Sequence, residues 1–140
     1  MLFASLRFNW QKGYYHMKLV FLDVKTIGDD LDLSPFDQFG EVVKYSFSAP
    51  SEVPGRIQDA DVIIVNKIQI NETTIGSAKN LKLVCVTATG TNNLDKAYLD
   101  AHGIAWRNVA GYSTETVAQH TFALLFYLWE KLRSVSYTHL

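Results

Sequence analysis

The chain is poor in the features that would announce a function outright. It has one cysteine, Cys85, in 140 residues, so no intramolecular disulfide can form, and a reducing compartment such as the cytoplasm is the natural setting. Cys85 sits inside an apolar run and is expected to be a buried, inert thiol. Charge of either sign is not in excess: 13 Lys and Arg against 14 Asp and Glu give a net charge of -1. That removes the electrostatic case for nucleic acid or an anionic membrane as partner. No apolar run reaches the ~20 residues that a membrane-spanning helix needs. The four histidines, His16, His102, His120 and His139, show no i, i+4 pair and no cysteine beside them, so no metal site is expected. There is no G-x-S-x-G to carry a serine nucleophile. There is also no G-x-G-x-x-G dinucleotide fingerprint.

What is present is an alternation. Apolar residues make up 48% of the chain, enough for one ordinary domain with a real core. Strands are expected over residues 18–23, 41–47, 60–66, 81–88 and 104–109. Between them, helical patterns run over 30–39, 50–59 (with the helix starting after Pro54), 71–79 and 94–102. Ser34-Pro35 reads as an N-cap followed by proline at the first helical position. Gly40 and Gly103 read as helix stops. A long helix capped by Ser113 or Thr114 then runs to about Arg133. Strand-helix alternation implies an α/β fold, a doubly wound parallel sheet with helices on both faces. Strands of nearly continuous Val, Ile and Leu fit burial on both sides. The expected order is flavodoxin-like, 2-1-3-4-5. The last helix, with Val117, Phe122, Leu124, Leu125, Phe126, Leu128, Trp129 and Leu132, is apolar almost all round. Such a helix must be buried on more than one side, so it anticipates another domain or subunit. Residues 1–16 carry no apolar core suited to a secretory signal. They read as an extension outside the fold, with Met17 the expected natural start.

The chemistry is expected where strands end at their carboxyl side. Ala88-Thr89-Gly90-Thr91 offers consecutive backbone N–H groups ahead of a helix start, a nest for carboxylate or phosphate. The plain alternative is a strand-to-helix turn with Asn92 or Asn93 as N-cap. Asn66-Lys67 ends the third strand next door. Lys67 brings one compact positive charge to the same pocket, or it is a solvated surface lysine. His120 is expected to bond within an interface, and His102 to sit at a helix C-terminus. A phosphate-accepting receiver domain would want Asp where strand three ends in Asn66. A flavodoxin would want a Ser/Thr/Gly loop after strand one, where Val24-Lys25-Thr26-Ile27-Gly28 stands.

From Met17 to about Arg133 the chain resembles the N-terminal part of the D-isomer-specific 2-hydroxyacid dehydrogenases. The resemblance is carried by Asn80-Leu81-Lys82-Leu83 leading into Ala88-Thr89-Gly90-Thr91-Asn92-Asn93-Leu94-Asp95. It continues through His102-Gly103-Ile104 and the segment from Asn108 to Thr121, with its Gly111-Tyr112-Ser113-Thr114 and Val117-Ala118-Gln119-His120-Thr121. The wording is similar to the glycerate dehydrogenase, or hydroxypyruvate reductase, branch. The resemblance implies two domains with the active site between them. Residues 17–112 would form the flavodoxin-like substrate domain and 113–133 the crossover helix. Ala88, Thr89 and Gly90 would hold the substrate carboxylate, with Asn66 and Lys67 bordering it. Thr114 would lie near the nicotinamide of NAD or NADP. The partner would be a small 2-keto or 2-hydroxy acid, and the full-length protein a cytoplasmic homodimer.

The family's glycine-rich loop and its catalytic Arg, Glu and His match nothing before Leu140. Residues 134–140 do not resemble the family's continuation and read as a foreign tail. The chain is therefore expected to be an N-terminal fragment that binds no dinucleotide tightly and turns over no substrate by itself. From another function class, a non-catalytic module sensing a small carboxylate through the same turn stays open.

Overall fold

A computed structural model describes residues 16–130. The readings made for the leader and for the tail beyond 130 lie outside the described residues. Five parallel strands form one sheet in the order β2-β1-β3-β4-β5, as expected. They are β1 (Met17–Phe21), β2 (Gly40–Lys44), β3 (Val62–Val65), β4 (Leu83–Val86) and β5 (Ala105–Asn108). The register sets Val65 against Val86, and Val86 against Asn108. The strand ends that follow β3, β4 and β5 therefore lie side by side.

Alternate residues of the strands feed two separate cores. Val20, Leu22, Ile63, Val65, Val84 and Val86 face one way and pack with Val53, Ile57, Ile75 and Leu99. These last come from α1 (Val53–Arg56), α2 (Glu72–Ile75), α3 (Lys96–Ala101) and the residue after α1. Leu19, Phe21, Val62, Ile64, Leu83 and Cys85 face the other way. There the cover is Leu33 with Val24, Ile27, Phe36 and Phe39, and Phe36 meets Phe21 edge-on at 5.1 Å. Burial pushes the Cys85 thiol up to about 11, with Arg107 offsetting it slightly. Its thiolate is thus scarce at neutral pH, as an inert thiol requires.

Several local expectations need correction. The helix expected over 30–39 is a 3-10 segment, Ser34–Phe39, and a second one spans Val24–Ile27. Among the described residues up to Ala110, the side chains packed on the Cys85 face of the sheet come from the 3-10 segments and their flanks. Ser34 does not cap; it is the first residue of its segment, and Asp32 accepts from its N–H and its hydroxyl, both at 2.9 Å. Pro54 lies within α1 instead of preceding it. Asn71 caps α2 through a capping box with Thr74. Neither Asn92 nor Asn93 caps α3: Asp95 does, accepting from Tyr98 N–H at 3.0 Å. Gly103 follows α3 with φ +66, and His102 is its C-cap, Nδ1 lying 2.8 Å from the Tyr98 carbonyl. The final helix α4 (Thr114–Trp129) begins as expected, but Ser113 makes no side-chain cap.

At the amino edge of the sheet, Asp61 joins three strands. It accepts from the Lys18 N–H at 3.0 Å and from Lys82 Nζ at 2.8 Å. Burial pushes its carboxyl up, but the bonds from Lys82 and Lys18 outweigh burial and hold it below the ordinary 3.8. A depressed folded-state value gives stability that is present above the unfolded value and lost as pH falls through the folded one. Asp61→Asn should therefore lower the melting temperature near pH 6 and narrow its gap to wild type near pH 2.5, those pH values bracketing about 3.8. Thermal melts of both proteins across that range check this; a constant gap would contradict it.

The described residues from Gly111 onward belong to a second compact unit. The second half of α4, from Phe122 to Trp129, is apolar on every side, with Phe122 and Phe126 stacked at 6.4 Å. Its large side chains, among them Phe122, Phe126, Leu128 and Trp129, are exposed. No helix among the described residues is long and apolar enough to cross a membrane.

Candidate functional site at the carboxyl ends of β3 and β4

The turn after β4 is held open by β5. The Asn108 side chain donates to the Thr89 carbonyl at 2.7 Å. The Val109 N–H donates to the Ala88 carbonyl at 3.1 Å, and the Thr89 hydroxyl donates to the Val109 carbonyl at 3.2 Å. The Ala88 and Thr89 carbonyls are thus occupied, while the backbone N–H groups of the turn are not. Among the described residues the N–H groups of Thr89, Gly90 and Thr91 meet no protein acceptor. Thr89 and Gly90 are exposed. Gly90 has no positive φ, and a Cβ built on it would meet nothing within 4 Å. The protein itself does not require glycine there.

One expected contribution is missing. α3 begins only at Lys96, with Asp95 as its cap, so the helix dipole does not reach the turn, because that effect fades within one turn of a helix end. Any anion held here would be held by the backbone amides and neighbouring charge.

Asn66 and Lys67 follow β3 directly and border the same edge. The loop that carries them is tied to the loop after Gly90: Ile70 N–H donates to the Asn93 carbonyl at 2.7 Å, and Asp95 N–H donates to the Ile70 carbonyl at 2.8 Å. Lys67 is exposed. The Asn66 Oδ1 is buried without a hydrogen-bond partner, a condition native proteins seldom tolerate away from functional sites.

Two residues at this edge hold the loop after β3, a role the sequence did not assign to either. Asp23, at the end of β1, is 4% exposed. Its carboxylate accepts from Asn66 N–H at 2.9 and 3.0 Å and from Lys67 N–H at 2.7 Å. Asn93 is 9% exposed and donates to the carbonyls of Ile68 at 3.0 Å and Asn66 at 3.4 Å. The available signal was weak in both cases: a polar residue closing an apolar strand, and an asparagine close to a helix start.

This architecture matches a known sequence family. The pattern described as D-isomer specific 2-hydroxyacid dehydrogenase, catalytic domain, covers residues 20–139. The chain belongs to that family. Among family relatives, the glycerate dehydrogenase of Methylorubrum extorquens is 35% identical over 112 residues, covering 79% of this chain and 35% of the relative. The hydroxypyruvate reductase of Blautia hydrogenotrophica is 34% identical over 113 residues, covering 78% and 35%. An acyclic imino acid reductase solved with NADPH and D-Arg superposes with a TM-score of 0.74 at 25% identity, over 87% of this chain and 40% of that one. This dehydrogenase-family chain thus spans about a third of the length of the curated relatives it matches.

For the family's nicotinamide cofactor the residues in hand are a poor fit. They contain no G-x-G-x-x-G, and the turn after β4 carries a single glycine, Gly90. Thr114, the residue assigned to the cofactor, opens α4 in the second unit. Among the described residues no group of acids, histidines and cysteine could hold a metal ion.

Proposed function

We propose that this chain supplies the substrate-carboxylate cradle of an NAD- or NADP-dependent D-2-hydroxyacid dehydrogenase. The whole protein would interconvert a 2-keto acid such as hydroxypyruvate and its D-2-hydroxy acid. The observation that carries this reading is the row of unmatched N–H donors from Thr89 to Thr91 beside Gly90, in a family whose members act on 2-hydroxy acids by name. A carboxylate oxygen accepts from two or three such amides without any of them having to move. Charge-assisted bonds of this kind are shorter and stronger than neutral ones. Lys67 adds a positive charge from the neighbouring loop, and Asn66 borders the pocket. Thr114 would face the cofactor. The chemistry of hydride transfer and the acid-base step belong to groups absent from these 140 residues, so the chain alone is expected to leave NADH unconsumed in the presence of hydroxypyruvate. The whole protein is proposed to be a cytoplasmic homodimer.

The cradle can be tested without turnover. Titrating the 15N-labelled chain with sodium D-glycerate should shift the Thr89 and Gly90 amides. Gly90→Ala places a methyl where the ligand would sit but where the protein has nothing. Its melting temperature should stay close to wild type, while its dissociation constant rises about tenfold, which corresponds to roughly 1.4 kcal/mol. Shifts unaffected by that substitution, or centred elsewhere, would refute the cradle.

A further inference from the structure

The loop after β3 makes few bonds of its own backbone to itself. Its polar main-chain groups are taken by two side chains from distant parts of the chain. Asp23, 43 and 44 residues earlier, accepts from the N–H groups of Asn66 and Lys67. Asn93, 27 residues after Asn66, donates to the carbonyls of Asn66 and Ile68. Both side chains are buried. One grips the loop from the β1 side and the other from the loop that follows Gly90.

We propose that Asp23 and Asn93 are positioning residues that fix the backbone of Lys67, so that its ammonium can serve the Thr89–Gly90 cradle. The inference rests on the carboxylate cradle proposed above and extends it to the residues that set its charge in place. A lysine side chain is long and loses much entropy when held. Its charge counts at a binding site only if its backbone is already fixed. Neither of the loop's leading N–H groups is bonded within the loop; both point at one carboxylate. A buried carboxylate that accepts from two backbone N–H groups at 2.7–3.0 Å is satisfied and rigid. Removing its charge leaves the amides of Asn66 and Lys67 facing an amide that offers a donor as well as an acceptor. The loop then has to rearrange. Asn93 matters for a second reason: it sits three residues beyond Gly90, so it links the two loops whose spacing defines the cradle.

The test is a double-mutant cycle, which isolates coupling from bulk stability. D-glycerate is titrated into four 15N-labelled chains: wild type, Lys67→Gln, Asp23→Asn, and the double variant. Affinity is read from the Thr89 and Gly90 amides. In the wild-type background Lys67→Gln should raise the dissociation constant about threefold, the scale of an exposed charge contact. In the Asp23→Asn background the same change should have no effect. A second background, Asn93→Ser, should abolish the Lys67 effect in the same way. It decides the matter alone if Asp23→Asn does not fold. Melting temperatures are followed in parallel. A merely structural role would lower them and leave the threefold Lys67 effect intact in both backgrounds; that result overturns the inference. So does a wild-type background in which Lys67→Gln changes nothing, although the cradle would then stand. If D-glycerate shifts no amide at Thr89 or Gly90 even in the wild type, the cradle itself fails and takes this inference with it.

Discussion

Gly40→Ala should lower the unfolding free energy of the chain by roughly 3 kcal/mol, a large share of the ~5–15 kcal/mol that holds a typical domain. Gly40 has φ +138, a conformation open to glycine and costly for any residue with a Cβ. A methyl group there would run into the backbone of Met17, the residue it faces across the β1–β2 pair. Its N–H also donates to the Asp37 carbonyl, closing the 3-10 segment. The strand therefore begins at the residue where the turn ends, with no spacer to absorb a collision. The neighbouring backbone would have to shift at the first rung of the ladder. Gly55→Ala is the matched control: nothing lies within 4 Å of its added Cβ, and alanine in a helix gains up to about 1 kcal/mol over glycine. Urea unfolding at constant slope separates the two. Equal midpoints for both variants would show that the Gly40 conformation carries no special cost.

The chain should also self-associate through α4. Phe122, Phe126, Leu128 and Trp129 are between 57% and 77% exposed, and contiguous apolar patches of that kind are rarely left open in solution. Burying one such side chain contributes about 1.5–3 kcal/mol. Light scattering should return a mass above 15.8 kDa that grows with concentration. Phe122→Lys with Phe126→Lys, one turn apart on the same side, should weaken the association by at least about a hundredfold. A wild-type chain that stays monomeric at high concentration would refute the expectation.

Much of this fold is legible in the residues because its central strands β3 and β4 are buried on both faces. Runs such as Val62–Val65 and Leu83–Val86 admit no polar residue, and short apolar runs separated by polar, glycine-containing segments leave few alternatives to a parallel sheet. The alternation does not by itself set the order of the strands; the flavodoxin-like order 2-1-3-4-5 was an expectation that the sheet bears out. The cover of the second face was not legible. Leu31, Leu33, Phe36 and Phe39 have helical spacing, yet Asp32 bonds to Ser34 and a 3-10 segment forms instead. Local side-chain bonds of this type compete with helix and leave hydrophobic spacing unchanged. The turn at Gly90 was found because a strand ends there. The positions of Asp23 and Asn93 were not, since their partners lie tens of residues away and each reads locally as an ordinary loop polar residue.

The manner in which the β3 loop is fastened limits how its length can vary. Surface loops usually accept insertions, because their ends are fixed and their middles are free. Between Lys67 and Ile70 the reverse holds: Asp23 fixes the entry, Asn93 binds the middle, and the Ile70 bridge to Leu94 closes the exit. An extra residue there would break the match at one of these points, so the loop can change in composition more readily than in length.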